Sequence, residues 1–426
     1  MSIVVMKFGG TSVADADKIR AAARRAVRTQ TQGHQVVMVV SAMGKTTDHL
    51  EDLASQVMRS KPAPKREWDQ LMVTGEQVTI SLMAMALEEM GSPAISFTAG
   101  QIGMVTDDRH TKARIKTIAA GKIHKQLDSG KIVIIAGFQG VTEEGHVTTL
   151  GRGGSNVTLV AIAAAINADV CENYTDVDGV YTADPRIVPN SRKINKISYD
   201  EMLELASLGV NVLHNRAVEF AKKYNVPIHV RNSAHSKKGT MIVAATESME
   251  RIVVSGAALK EELARVSLTK VPDHPGVVAR VFHTMARHDV MVDDIIQTVN
   301  DDKTASLSFT VDLAEFSDAK AVCGKIAKSL KCDVSYDDSL AKVSVVGVGM
   351  RVHTGVAEKM FSALADAKIN IENITTSEIK ISCMIDRADG KKALRLVHDA
   401  FELGGKKKKK KKPAKKRAKK TAKKKK

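Results

Sequence analysis

TLGRGGSNVTLVAIAAAINADV, residues 149–170, sets a glycine-rich loop with one arginine directly ahead of a long apolar helical run, which leads into the strand-like DVCENYTDV (169–177). A glycine loop that opens a helix and passes on to a strand is the repeating unit of an α/β sheet. Outward from it, IVVMKF (3–8), QVVMVVSA (35–42), KIVIIAGF (131–138) and VPIHVRN (226–232) also read as strands. Helical patterns cover 15–32, 68–90, 110–129, 155–167, 198–207 and 214–224. The alternation predicts an α/β domain over residues 1–245: a mostly parallel central sheet between two layers of helices. In such sheets ligands sit at the carboxyl ends of the strands.

A chain of 426 residues is too long for one ordinary core, so two or three domains are expected. The 43% hydrophobic content is enough for packed cores, yet no stretch reaches the ~20 apolar residues of a membrane span. The opening MSIVVMKFGG reads as a first buried strand rather than a signal peptide. Four scattered cysteines without a CxxC pair fit a cytoplasmic protein and argue against structural zinc. The net charge of +17 is concentrated at one end: KKKKKKKPAKKRAKKTAKKKK (406–426) holds 15 Lys and one Arg and no acid. A run of this kind is expected to form a disordered basic tail, placed at 404–426, able to contact nucleic acid or other polyanions by counterion release. With no aromatic residue to stack on bases, such contact would be diffuse.

The second part repeats itself. LARVSLTKV from Leu263 aligns with LAKVSVVGV from Leu340, and Gly276, Phe282, Val292 and Ile295 correspond to Gly355, Phe361, Ile371 and Ile374. Each copy reads strand, glycine turn, amphipathic helix, strand, so two small α+β modules are expected, at 262–338 and 339–403. A pair of modules appended to an α/β domain suggests regulation or dimerisation.

Several loops carry residues fit for chemistry. KFGGTS (7–12) follows the first strand, so its glycines and the next helix can cradle an anion while Lys7 adds a charge. GRGGSN (151–156) repeats this physics, with Arg152 suited to grip a carboxylate through two N–H bonds. SAMGKTTD (41–48) ends the second strand with hydroxyl and backbone donors, and VTGEQV (73–78) sets Glu76 near a helix start. YTDVDGVYTADPR (174–186) reads as a hairpin-like excursion. Neither GxxxxGK[ST] nor GxGxxG occurs, which excludes the P-loop and dinucleotide fingerprints.

In fixed order, KFGGTSV, SAMGKTTD, TGE, GFQG, TTLGRGGS, YTDVDGVYTADPRIVP and ISYDEMLELASLG resemble the motifs of aspartokinases of the amino acid kinase superfamily. The repeats, with GMRVHTGVAEKMF and TTSEIKIS, resemble that family's tandem ACT domains, of the ferredoxin-like α+β class. The resemblance spans residues 1–403. It implies ATP-dependent phosphorylation of the L-aspartate side chain, the first step toward lysine, threonine and methionine, and in bacteria diaminopimelate, with Mg²⁺ carried in on ATP. Lys7, Phe8, Gly9, Gly10 and Ser41 would meet the ATP phosphates, and Tyr174, Thr175, Asp176, Tyr181 and Arg186 the rest of the nucleotide. Thr47, Glu76, Arg152, Gly153, Gly154 and Ser155 would hold aspartate, with Lys7, Glu76 and Arg152 central to catalysis. Lysine, threonine or both would act as feedback effectors, at Asp273, Gly276, Val292, Asp293 and Gln297 and at Val356, Asn370, Ile371, Ser377 and Glu378. A homo-oligomer through the ACT domains is expected, and 249–259 would supply a strand to the second module.

Three amides depart from the family pattern, which reads GRGGSD, CEIYTDVDG and LHPR where this chain has Asn156, Asn173 and Asn215. Asn156 keeps the shape of the usual carboxylate and removes its charge. The alternative it raises is an amino-acid-sensing relative with weakened turnover.

Overall fold

The computed structural model describes residues 2–405 other than Asn211. The lysine-rich run 406–426 lies outside the described residues. An eight-stranded sheet runs from edge to edge as Lys196–Ser198, Thr240–Val243, Ile228–Asn232, Val170–Thr175, Ile3–Phe8, Gln35–Val40, Ile132–Ala136 and Ala94–Phe97. All neighbours are parallel except Ile228–Asn232 against Thr240–Val243. The central strands are valine-rich and buried on both faces, the pattern that parallel pairing under two helical layers requires.

Alternation along the strands divides the core. Val5, Val39, Cys171 and Val230 pack under the helix Gly154–Ala165, which is buried almost all round and so reads as a continuous apolar run. On the other face Met6, Phe8, Val40 and Tyr174 pack against Ile19, Ala22 and Ala23 of the helix Ala16–Thr31 and Ile80 and Met83 of the helix Thr74–Glu89. Asp15 caps the former helix by accepting the Lys18 N–H at 2.9 Å.

Three local expectations change. The helix expected over 110–129 is a strand, Ile115–Ile118, followed by a shorter helix, Gly121–Asp128. Its isoleucines and threonine pair with Met104–Thr106 in a second sheet completed by Gln139–Val141 and Val147–Thr149, so sheet packing overrides the helical spacing. The helix expected over 68–90 divides at Val73 into Lys65–Met72 and Thr74–Glu89, and the loop at 41–48 already enters a helix, Thr46–Val57.

The repeats form two four-stranded antiparallel sheets. The first orders Asp293–Val299, Thr304–Asp312, Leu263–Pro272 and Asp333–Asp337; the second orders Gly256–Lys260, Leu340–Val346, Lys380–Asp386 and Asn373–Ser377. The second therefore takes its outer strand from ahead of the first, pairing Ala258 with Ser344. Gly404 and Gly405, assigned to the tail by their sequence, are instead tied down: Gly404 bridges to Ser191, and the Gly405 N–H donates to the Asn190 carbonyl at 3.1 Å. Among the described residues, no helix is long and apolar enough to cross a membrane.

Candidate functional site

Three parallel neighbours, Ile3–Phe8, Gln35–Val40 and Val170–Thr175, deliver their loops to the carboxyl end of the sheet, between its central strands. The Gly44 N–H donates to the Gly10 carbonyl at 3.0 Å, and the Gly9 N–H to the Tyr174 carbonyl at 3.3 Å, so the loops after all three strands touch. A Cβ at Gly10 would lie 2.9 Å from the Ala42 carbonyl, and only glycine permits that approach. Lys7 lies in the strand before this junction and is 8% exposed. Burial pulls its pKa down to about 8, with Asp176 pulling the other way. An anion placed here would meet a poorly solvated ammonium, where attraction is strong.

Glu76 reaches the same junction from the first turn of Thr74–Glu89. Its Oε1 accepts the Ala42 N–H at 3.0 Å, while Oε2 is buried with no partner among the described residues. Burial raises its pKa to about 7, against the Ala42 hydrogen bond. An unpartnered buried carboxylate oxygen is suited to a ligand ammonium. Thr47 lies in the first turn of Thr46–Val57, and a Cβ at Gly75 would lie 2.8 Å from that of Ala42, so this helix pair closes on the second strand's loop.

The second glycine loop approaches across Gly137, where a Cβ would lie 2.6 Å from Ser155 Oγ. Gly153 adopts φ 72° and packs against the His214 ring, so its conformation and its space both call for glycine. Gly154 and Ser155 open the helix and are buried; Arg152 is exposed, with no hydrogen-bonded or ionic partner among the described residues. The Oδ1 atoms of Asn156, Asn173 and Asn215 are all buried without partners among the described residues. Asn173 Nδ2 reaches the Val212 carbonyl at 3.4 Å, a weak bond for a strand position facing the core.

The expected nucleotide residues separate. Phe8 and Tyr174 turn their rings to the opposite face, stacked with centroids 4.8 Å apart, and Tyr174 Oη donates to Glu172 Oε2 at 2.6 Å. Strand alternation forces this: neighbours of Lys7 and Thr175 must point away from them. Only their backbone borders the junction. Ser41 is half-buried beside Ala42, and its N–H donates to the Phe8 carbonyl at 3.2 Å. Thr175 Oγ1 donates to Asp176 Oδ1 at 3.0 Å. Tyr181 bridges to Lys193, and Arg186 is largely exposed and clamped by Asp184, with Nη2 donating at 2.7 Å.

The expected effector residues lie on corresponding parts of the two small modules. Asp293 is paired with Lys342 of the second module at 3.0 Å, and Asp294 contacts the same ammonium. Burial would lower the Lys342 pKa, but the two aspartates hold it above its ordinary value. The Asp273 N–H donates to the Lys303 carbonyl, Gly276 precedes the helix Val277–Arg287, Val292 is half-buried and Gln297 is exposed. In the second module Val356 is buried, Ile371 half-buried, and Asn370 donates to Glu372 at 3.2 Å. Ser377 donates to Glu204 at 3.5 Å, and Glu378 pairs with Arg351 at 3.0 Å.

Two supports of the second loop carry no local signal in the sequence. Asp69 is fully buried and accepts from Thr149 Oγ1 at 2.6 Å, from the Thr111 N–H at 3.0 Å and bonds His110 Nδ1 at 2.8 Å. Arg216 donates to the Leu150 carbonyl and, at 2.9 Å, to that of Ala113. In WDQLM an acid on an amphipathic helix looks like a solvated face; only its partners, remote in sequence, reveal it. Among the described residues, no group of three or more His, Cys, Asp or Glu could hold a metal ion.

Residues 2–232 match the amino acid kinase family, and residues 265–328 and 343–401 each match the ACT domain. The chain is 47% identical over 413 residues to an aspartokinase of Mycolicibacterium smegmatis, covering 95% of this chain and 97% of that protein. It is similar to E. coli aspartokinase III solved with aspartate and ADP in the R-state, at a TM-score of 0.80 and 26% identity, over 93% of this chain and 99% of the other. The same E. coli enzyme with lysine and aspartate in the T-state gives a TM-score of 0.75 at 26% identity, over 94% and 99%.

Proposed function

Because this chain belongs to the amino acid kinase family, and within it to the aspartokinases, we propose that it transfers the γ-phosphoryl group of ATP to the side-chain carboxylate of L-aspartate. The observation that carries this reading is the pairing, at the carboxyl end of the central strands, of a buried lysine with a buried carboxylate whose outer oxygen has no partner among the described residues. Lys7 would meet the phosphates and Glu76 Oε2 the α-ammonium of aspartate. The exposed Arg152 fork and the helix start at Ser155 suit the α-carboxylate.

The acceptor is an anion at neutral pH, so no residue need remove a proton from it. One of its oxygens attacks the γ-phosphorus in line, the bond to the β–γ bridging oxygen breaks, and ADP leaves with the electron pair. Catalysis then rests on alignment and on neutralising charge between two anions. Mg²⁺ belongs to the nucleotide substrate. Asp176, beside Lys7, is a single carboxylate, which fits a metal held chiefly by phosphate oxygens.

The product is an acyl phosphate, and the reading places it at the start of lysine, threonine, methionine and diaminopimelate synthesis, in the cytoplasm. Lysine is the favoured effector, supported by the lysine-bound E. coli relative, with the ACT modules as its site and as the oligomer contact. An effector inhibits only if it binds the less active arrangement more tightly.

Asn156 favours a second reading, a sensor with weakened turnover, since its buried Oδ1 finds no partner among the described residues where the family carries a charge. Both are tested by trapping aspartyl phosphate as the hydroxamate for wild type and Asn156→Asp. Turnover by wild type supports the kinase. A silent wild type beside an active variant supports the sensor.

A further inference from the structure

We propose that His398, in the second ACT module, is a positioning residue for the nucleotide site, acting through Thr182 on the loop that carries Tyr181 and Arg186. The proposal rests on the aspartokinase reading of that loop. Beyond Tyr181 the chain leaves the α/β domain: Ala183 and Val188 are buried in the core of the second module, among Val343, Met360 and Leu394. The backbone is fastened as well, by Arg395 Nε donating to the Ile187 carbonyl at 2.9 Å and the Ala257 N–H to that of Thr182 at 2.8 Å.

Thr182 is the pivot. It is fully buried, and its hydroxyl accepts the Arg192 N–H at 3.0 Å, lies 3.2 Å from the Leu403 carbonyl and 3.1 Å from His398 Nε2. A hydroxyl has one proton and two lone pairs. With the hydroxyl donating its hydrogen bond to the Leu403 carbonyl, the remaining lone pair accepts one from His398 Nε2–H, which fixes the tautomer of that ring. His398, on the helix Gly390–Ala400, is itself fully buried, with Nδ1 hydrogen-bonded to no group among the described residues and the Asp399 carboxylate 3.8 Å away. Nothing else about this histidine requires an imidazole inside an apolar core, where a satisfied leucine would fill the space at less cost.

The aspartate side is fastened differently. Asp69 and Arg216 hold the loop ahead of Arg152 from within the α/β domain. Loosening Thr182 should therefore move Tyr181 and Arg186 while leaving Glu76 and Arg152 in place. The nucleotide half of the site would be built by two domains and the aspartate half by one.

The test uses the full chain as wild type, His398→Leu, His398→Gln and Thr182→Val, reading ADP binding by calorimetry and, by the hydroxamate assay, KM for ATP and for aspartate. Loss of one buried hydrogen bond should weaken ADP binding and raise KM for ATP in His398→Leu about tenfold. KM for aspartate should stay within about twofold. Glutamine presents its amide N–H near the Nε2 position and should restore most of the loss. Thr182→Val keeps the volume, removes the hydroxyl and should repeat the effect should His398→Leu fail to fold. Unchanged nucleotide binding, a parallel rise in both KM values, or a glutamine variant as weak as leucine would each overturn the proposal. A wild type that binds ADP without turnover would sink the functional reading alone, because the ADP titrations still decide the role of His398.

Discussion

The two glycine loops do the same kind of work by opposite construction. The first hides its cation: Lys7 comes from inside a strand, is buried, and leads into a loop where Gly10 is needed for close backbone contact. The second displays its cation: Arg152 stands exposed on a loop whose glycines take left-handed conformations, Gly151 at φ 78° and Gly153 at φ 72°. A buried ammonium is costly to keep and strongly attractive to whatever anion arrives. An exposed guanidinium costs little and gains its value from geometry when a ligand orders it. The first loop is thus built to act on charge and the second to fix orientation.

The largest expected effect tests the charge half of that comparison. Lys7→Met should lower kcat/KM about 10²–10³-fold, the usual cost of removing one preorganised group from a developing charge. Thermal stability should not fall, because a desolvated ammonium leaves the core. Retained turnover would break the contrast at its root.

Gly153→Ala tests the other half. A Cβ there is strained by φ 72° and would lie 2.5 Å from His214 Cβ. A left-handed alanine costs about 1–2 kcal/mol before any clash, so kcat/KM for aspartate should drop about 30- to 100-fold, with ADP affinity within about twofold. Adding His214→Ala should recover part of this loss and not all, since it relieves the clash and leaves the strain.

Glu76 sharpens the comparison through pH. Burial lifts its pKa from 4.5 to about 7 in the folded state. Between those values the native state binds more protons than the unfolded one, so wild-type stability falls as pH rises. Glu76→Gln has no such term. Its stability relative to wild type should rise between pH 4.5 and 7, by up to about 3 kcal/mol, as read from denaturant midpoints at several pH values. In turnover, kcat/KM for aspartate should decline below about pH 7 in wild type as the carboxylate protonates, and the variant should be slow without that limb.

What the sequence made legible follows from how local each cause is. Strand and helix alternation, both glycine loops and the repeated modules rest on patterns within a few residues, and the parallel sheet and the α+β pairs follow from them. The apolar spacing of Ile115–Ile118 suits a helix as well as a strand, and only pairing with Met104–Thr106 decides. Asp69 and His398 were invisible because their partners lie far along the chain. Phe8 and Tyr174 stand next to site residues in sequence and on the far face of the sheet in space, which a motif cannot tell but strand alternation does.

The smallest effect lies within the first loop itself. Gly9 has φ −70°, open to any residue, and a Cβ there would meet Lys7 Nζ at 3.3 Å and the Tyr174 carbonyl at 3.9 Å. Gly10 differs, since its Cβ would face the Ala42 carbonyl at 2.9 Å and that of Gly44 at 3.2 Å. A lysine tip can shift by a few tenths of an ångström, whereas two backbone carbonyls cannot move without dragging the second strand's loop. Gly9→Ala should therefore raise KM for ATP only about two- to fivefold with thermal stability kept, equivalent to less than about 1 kcal/mol. Gly10→Ala should raise KM for ATP further and lower thermal stability as well. Equal losses in the two variants would mean that the first loop, like the second, uses its glycines for conformation, and the contrast between the loops would reduce to where each keeps its cation.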